Sequence, residues 1–505
     1  MWRPTRALFR ILIVGGLLMA AAAVRRRRTT PALDDAPIAS TGRGARSAVM
    51  AGLAARRAAD RTWTKARQRL ADDEGRRRMQ AELERREAQD VVDALGYMKG
   101  GMMKLGQMAS YLDEGMPEPM RDALAGLRSD APPMTGDLAL SEIEAGLGQP
   151  LHELFEHIDA EPIASASIGQ VHKARTLDGR DVAVKVQYPG IADAIAADMD
   201  NSETLATMLS MIFPGLDPVE LVEELRARIN EELDYENEAA NVRLFADYYR
   251  GHPTIWIPDV IDGLSCGNVL TTEFVHGERF EKIYERSQEE RDRVAETLYR
   301  FVFRSLNRQY AFNGDPHPGN YLLADDGRLA FIDFGLVKHF KADEVEQFAR
   351  LIRAMLDREA SEFRRVAEEV DVLRPNAPFT DDEIYEWFTA YYELILTDEP
   401  ITVTSEYSGK LLYKTFDART NEILKHANVP PTFALIQRIN LGLFSLMGKL
   451  EPTANWRGIS EELWVWTDGE PSTPMGEAEA AWVASGVSNA AETHARLAAW
   501  TAEAG

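Results

Sequence analysis

Cysteine is nearly missing: 505 residues contain only Cys266. That excludes an intramolecular disulfide and fits a reducing compartment. Positive charge is scarce beyond the first seventy residues. Those hold fifteen Lys and Arg against three Asp and Glu, whereas the whole chain carries a formal −24, so the main body is strongly acidic. Such a surface repels a phosphate backbone over most of its extent and argues against nucleic acid as a partner. Long hydrophobic runs are also rare. Phe433 to Met447 is apolar but interrupted by Gln437, Arg438 and Asn440, which is the pattern of a packed helix and not of a membrane span.

The exception runs from Ala7 to Val24, contains Arg10 and ends at Arg25-Arg26-Arg27-Arg28. Eighteen residues at the helical rise reach ~27 Å, enough for a thin bilayer if Arg10 snorkels. The larger positive charge follows the span. The expectation is therefore a single N-terminal anchor with the main body on the cytoplasmic face of a membrane. A cleaved secretory signal at Ala21-Ala22-Ala23 is the competing reading, and the arginine tetrad just after it counts against it. Further on, Val91, Leu95, Met98, Met102, Leu105, Ala109 and Leu112 recur at helical spacing. Lys104, Gln107 and Tyr111 share another face of that helix. Physics unaided reads Lys104 as a surface cation.

The chemistry-bearing stretch is Phe312-Asn313-Gly314-Asp315-Pro316-His317-Pro318-Gly319-Asn320, followed by Phe331-Ile332-Asp333-Phe334-Gly335. Asp315 and Asn320 have the spacing of base and metal-binding amide in the kinase pattern H-R-D-x-x-x-x-N, and Asp333-Phe334-Gly335 matches D-F-G. A triphosphate with Mg²⁺ needs hard oxygen ligands of this kind. His317 lies where protein kinases often carry a γ-phosphate lysine, and a structural role between two prolines is the alternative.

Upstream, residues 162–174 fit the nucleotide loop G-x-G-x-x-G-x-V, with Ala164 and Ala166 at the first two glycine positions, Ser165 and Ser167 between them, then Gly169 and Val171. Alanine restricts the backbone freedom that glycine allows, so a stiffer loop is expected. Val182-Ala183-Val184-Lys185-Val186 matches the V-A-I-K strand, placing Lys185 on the α- and β-phosphates of ATP. A buried lysine needs a carboxylate partner; within Glu231 to Glu238 several compete, and spacing does not choose among them. Backbone near Glu273 to Val275, at the end of a strand, is the candidate adenine edge.

These motifs together resemble the UbiB/AarF-domain family of atypical kinases, also called the ADCK family. The resemblance rests on Lys104-Leu105-Gly106-Gln107, the Ala-rich loop, Glu232-Leu233-Asp234-Tyr235 with Glu238-Ala239, and Asp315 to Asn320. It covers about residues 95–340. It implies an α+β, bilobal protein-kinase-like fold with a helical N-terminal extension and a helical C-terminal region. It also implies that Lys104 and Gln107 pack over the active site beside Glu232 and Asp234, and that Glu238 partners Lys185. The implied chemistry is Mg²⁺- and ATP-dependent, with Asn320 and Asp333 on the metal and Asp315 orienting the nucleophile. The implied role is membrane-associated, in isoprenoid quinone (notably ubiquinone) or lipid metabolism, with that pathway's enzymes or membrane lipid as partners. A non-catalytic nucleotide-binding scaffold and a small-molecule phosphotransferase are the alternatives.

One departure is Asn313-Gly314, where the family usually has His-Ala; Gly314 is expected to loosen the loop and affect turnover. No Ala-Pro-Glu follows Gly335 and no arginine precedes Asp315, so the platform that holds a peptide substrate is missing and generic proteins are not expected as acceptors. The expected organisation is an anchor over 1–28, a basic linker and helix over 29–90, a helical extension over 91–150, an N-lobe over 151–278 with inserted helices, a helical C-lobe with further helices over 279–470 and an acidic tail over 471–505.

Overall fold

The computed structural model describes residues 134–166, 168–199, 223, 226, 230–416, 423, 426, 431–467 and 469–487. Lys104, Gln107, Ser167 and the apolar run 7–24 lie outside these residues.

Helix α1 (Gly136–Leu147) is stopped by Gly148, whose φ of 70° is left-handed and whose N–H reaches the carbonyl of Glu144 at 2.9 Å. Phe155 opens the first strand. Strands β1 (Phe155–Ile158), β2 (Ala164–Ser165), β3 (Gly169–Thr176) and β4 (Asp181–Gln187) follow. Helix α2 (Ile191–Met199) begins the inserted stretch and α3 (Tyr235–Tyr248) comes after it; β5 (Ile255–Trp256) and β6 (Val269–Glu273) complete this half. The antiparallel sheet runs β1-β3-β4-β6, with β2 also pairing with β3. Strand alternation puts Val182, Val184 and Val186 on one face, fully buried against Ala139 and Ile143 of α1. Each such side chain contributes roughly 1.5–3 kcal/mol. The intervening Lys185 is thereby sent to the opposite face.

The second lobe starts with β7 (Gly277–Arg279) and α4 (Gln288–Arg304), the latter opened by a capping box between Ser287 and Glu290. Short strands β8 (Ala311–Asn313), β9 (Tyr321–Ala324), β10 (Leu329–Phe331) and β11 (Val337–His339) carry the catalytic-type loops. They form a sheet in the order β5-β10-β9-β7 and a separate β11-β8 ladder. Phe301 of α4 stacks on Phe331 at 3.8 Å between ring centroids, and Phe334 packs on Phe245 of α3 at 4.9 Å. These contacts hold Phe331 and Phe334, which flank the Ile332-Asp333 pair, in the core.

Helices α5 (Ala342–Leu356), α6 (Ala360–Glu369) and α7 (Asp381–Thr389) follow, and Thr380 with Glu383 forms a capping box at the start of α7. The helical stretch expected over 279–470 also contains strands: β12 (Ile401–Thr402) pairs with β13 (Thr453–Ala454) around α8 (Ser405–Phe416) and α9 (Pro431–Leu450). After α10 (Trp456–Leu463), residues expected within an acidic tail form α11 (Pro474–Ser485), with Glu479 and Trp482 buried against the lobe. Buried arginines on the lobe, Arg300 and Arg304, hold this acidic segment through Glu479.

Candidate active site

Lys185 stands mid-strand in β4. Its Nζ contacts both carboxylate oxygens of Glu238, at 2.8 and 2.9 Å, and lies 3.7 Å from Oδ2 of Asp333. The ring of Tyr235 lies beneath the ammonium, its centroid 4.9 Å away. Burial by itself would drive the proton off, but the charges of Glu238 and Asp333 outweigh it and hold Lys185 well above the ordinary lysine range. Burial likewise pushes the Glu238 carboxyl up while Lys185 pulls it down; two short contacts to one carboxylate are those of a charged pair. Among the competing carboxylates, then, Glu238 meets Lys185. Asp234 instead caps α3, its Oδ1 accepting from the Asn237 N–H at 2.9 Å, and Glu232 lies in the helical stretch just before it.

The two loops are stitched together. The Asn320 amide nitrogen donates to the Asp315 carbonyl at 3.0 Å, and the Asn320 carbonyl accepts from the Ile332 N–H at 3.0 Å. Oδ1 of Asp333 accepts from the Gly335 N–H at 3.1 Å. Asn313 spans both loops: its amide nitrogen donates to the Asp333 carbonyl at 2.7 Å and its oxygen accepts from the Asp315 N–H at 3.2 Å. Gly314 does not loosen the loop as expected. Its N–H donates to the Leu336 carbonyl at 2.7 Å, and a Cβ there would stand 3.2 Å from the Leu336 side chain. Packing supplies the restraint that composition seemed to remove. Nδ1 of His317 accepts from the Gly319 N–H at 3.1 Å, bracing the turn into Asn320.

A paired sheet lysine, a D-F-G loop and an Asp-to-Asn loop in one cleft are the parts of a kinase site. The profile of the ABC1 atypical kinase-like domain matches residues 126–367. A solved structure described as the complex of Rv3197 with erythromycin, from Mycobacterium tuberculosis, is 32% identical with a TM-score of 0.57, covering 76% of this chain and 97% of that one. The chain belongs to the ABC1 atypical kinase-like family. It is also similar to the mitochondrial atypical kinase coq-8 of Caenorhabditis elegans, 29% identical over 74% of this chain and 50% of the relative. The probable serine/threonine-protein kinase abkA of Dictyostelium discoideum is 29% identical over 73% of this chain and 69% of the relative. The match thus spans half the length of the nematode protein.

Within the ABC1 frame, the alanine-rich loop is a tight hairpin. Ala164 pairs opposite Val171 and Ser165 opposite Gln170, and the Ala166 N–H donates to the Gly169 carbonyl at 2.8 Å. Gly169 is required by close approach: a Cβ would run into the Val186 carbonyl of β4. Behind the sheet, the buried Gln170 accepts from the Met134 N–H at 2.9 Å and meets His172, whose Nδ1 lies 2.7 Å from the Asp159 carbonyl. Burial lowers the His172 pKa and keeps the ring neutral. At the candidate adenine edge, the Glu273 carboxylate accepts from the Asp259 N–H at 3.0 Å, which already engages this side chain. Val275 is buried with Ala324 and Ala330. Sequence reasoning did not find the bridging role of Asn313, nor Tyr235 and Asn241 as site residues. For Asn241 a signal existed, since it lies three residues from Glu238 on the same helix face.

Proposed function

We propose that this ABC1-family protein binds Mg²⁺-ATP in the cleft and catalyses ATP hydrolysis or phosphoryl transfer to a non-protein acceptor at a membrane surface. The observation that carries the reading is the contact set of Lys185, bidentate on Glu238 and 3.7 Å from Asp333. A lysine so placed has two N–H groups engaged and a third to offer to the α- and β-phosphates. The donor set fits magnesium: Asp333 would supply a carboxylate, and Asn320, its nitrogen engaged by the Asp315 carbonyl, would offer its amide oxygen. When bound, that ion would neutralise charge on the transferring phosphoryl group. Asp315, fixed by Asn313 and Asn320, orients the attacking hydroxyl or water and accepts its proton. The joint presence of Lys185, Asp315, Asn320 and Asp333 favours turnover over a non-catalytic scaffold, and the N-terminal apolar run with the Lys104 motif counts against a soluble small-molecule phosphotransferase.

The proposed acceptor is a membrane lipid or isoprenoid quinone precursor, and the proposed partners are that pathway's enzymes. Two relatives carry atypical kinase names, coq-8 and COQ8B, both mitochondrial. The N-terminal run would hold the protein at the cytoplasmic membrane face; among the described residues no helix is long and apolar enough to cross a membrane. A second reading is that the protein binds a bulky amphipathic ligand, favoured by the erythromycin in the description of the mycobacterial structure. The test is nucleotide binding and phosphate release by the full chain, with and without anionic vesicles. Lys185→Ala and Asp333→Asn should each abolish Mg²⁺-dependent binding or turnover; unchanged values in both would end the reading. Rapid labelling of casein would refute the non-protein acceptor.

A further inference from the structure

Helix α3 turns Glu238, Asn241 and Phe245, spaced by three and four residues, toward the Asp333 loop. Glu238 holds Lys185, and Phe245 packs on the Phe334 ring. Asn241 lies between them and is 3% exposed. Its amide nitrogen is 3.2 Å from the Phe334 carbonyl oxygen, and its amide oxygen is 3.0 Å from Nε2 of His339. A carbonyl can only accept, so the Asn241 nitrogen belongs on Phe334; the oxygen then faces His339, whose Nε2 must carry a proton. Burial, with Lys338 beside it, lowers the His339 pKa, as suits a neutral ring.

The Phe334 carbonyl and the Gly335 N–H belong to one peptide unit. In a planar trans peptide these two groups point in opposite directions. Holding the carbonyl on Asn241 therefore aims the N–H the other way, and there it meets Oδ1 of Asp333 at 3.1 Å. Oδ2 is then the oxygen turned to Lys185. His339 enters through β11, which pairs with β8, and the last residue of β8 is Asn313, the bridge between Asp333 and Asp315. One amide thus links the lysine-pairing helix, the Asp333 loop and the strand leading to Asp315.

We propose that Asn241 is a positioning residue for the metal carboxylate: held in orientation by His339, it fixes the Phe334–Gly335 peptide plane and so the rotamer of Asp333. The proposal rests on reading Asp333 as a magnesium ligand. It assigns to α3 a second task besides pairing Lys185, carried through the main chain of the loop.

The test uses purified full-length protein and two titrations: ATP affinity in EDTA, and the Mg²⁺ concentration giving half-maximal ATP binding. Asn241→Asp keeps the volume but cannot donate to Phe334. It should raise the Mg²⁺ requirement roughly tenfold, the scale of one lost hydrogen bond, and leave affinity in EDTA unchanged. Hydrogen exchange at Gly335 should rise in the same variant. Should Asn241→Asp fail to fold, the His339 pair decides: His339→Ala should raise the requirement about threefold, and His339→Gln, which still donates, should restore it. A Mg²⁺ requirement equal to wild type in the Asn241 or His339→Ala variants overturns the proposal, as does an equal loss of affinity in EDTA. A wild-type protein with no Mg²⁺-dependent ATP binding removes the underlying reading instead, and shows this before any variant is made.

Discussion

Among the described residues, the Lys185 cluster and the Glu479 cluster are built to opposite specifications. In the cleft, Lys185 meets Glu238 and Asp333, and the Asp333 side chain stays 34% exposed. In the C-lobe, Glu479 of α11 meets Arg300 at 2.9 Å, Arg304 at 3.0 Å and His252 at 3.0 Å, with every partner almost fully covered. Arg300 also binds Glu296 and Glu462, and Thr473 adds its hydroxyl. Nδ1 of His252 accepts from the N–H groups of Thr254 and Ile255, so its Nε2 proton goes to Glu479 and the ring is neutral. The second cluster is closed off from solvent, whereas the first keeps donor capacity and an open side. Strong charge perturbation alone therefore does not mark function here; what separates the two is whether a ligand could still be served.

The comparison breaks most directly at Glu479. Glu479→Gln should cost about 3–5 kcal/mol in denaturant unfolding, because the buried Arg304 loses its carboxylate counter-charge while Arg300 keeps Glu296 and Glu462. Loss of less than about 1 kcal/mol would show the cluster to be dispensable. Lys185→Ala should do the reverse, lowering kcat by roughly 10²–10³-fold, the scale of one preorganised charge donor, with a smaller change in unfolding than Glu479→Gln.

Acid and alkali should separate the clusters next. Burial lowers the His252 pKa, and the two arginines hold Glu479 well below the usual carboxylate range against the opposing effect of burial. Both groups bind protons more readily unfolded, so their contribution is present at neutral pH. It fades as pH falls, from about 6.5 for the histidine and about 4.3 for the carboxyl. Lys185 is raised, so its contribution holds below about pH 10.4 and is lost as pH climbs through the higher folded value. Melting temperatures from pH 4 to 8 should therefore slope upward in wild type and flatten in His252→Gln. The smallest expected effect is at Asn313→Ala, about 1 kcal/mol of stability from two lost hydrogen bonds, with a larger proportional loss in kcat; equal losses would make that residue merely structural.

Much of the cleft was legible from residue order because phosphoryl transfer demands particular groups at short spacings. Asp315 to Asn320, Asp333-Phe334-Gly335 and the Lys185 strand are each local patterns, and each folds locally as its pattern implies. Glu238 was reached only through the family resemblance, since five carboxylates from Glu231 to Glu238 compete for the pairing and spacing does not choose among them. The consequence of Gly314 was misjudged because its restraint comes from Leu336, across a strand pair.

The sequence by itself determined the composition of the site, the valine face that buries one side of the sheet, and the family. Tertiary structure alone decided which carboxylate meets Lys185, that Asn241 holds the peptide beside Asp333, and that a stretch with an acidic, alanine-rich composition docks as a helix. The reason is distance along the chain: Glu479 lies 227 residues from His252 and Asn241 lies 93 from Phe334. Pairings of that separation depend on the folded topology, which no local pattern encodes.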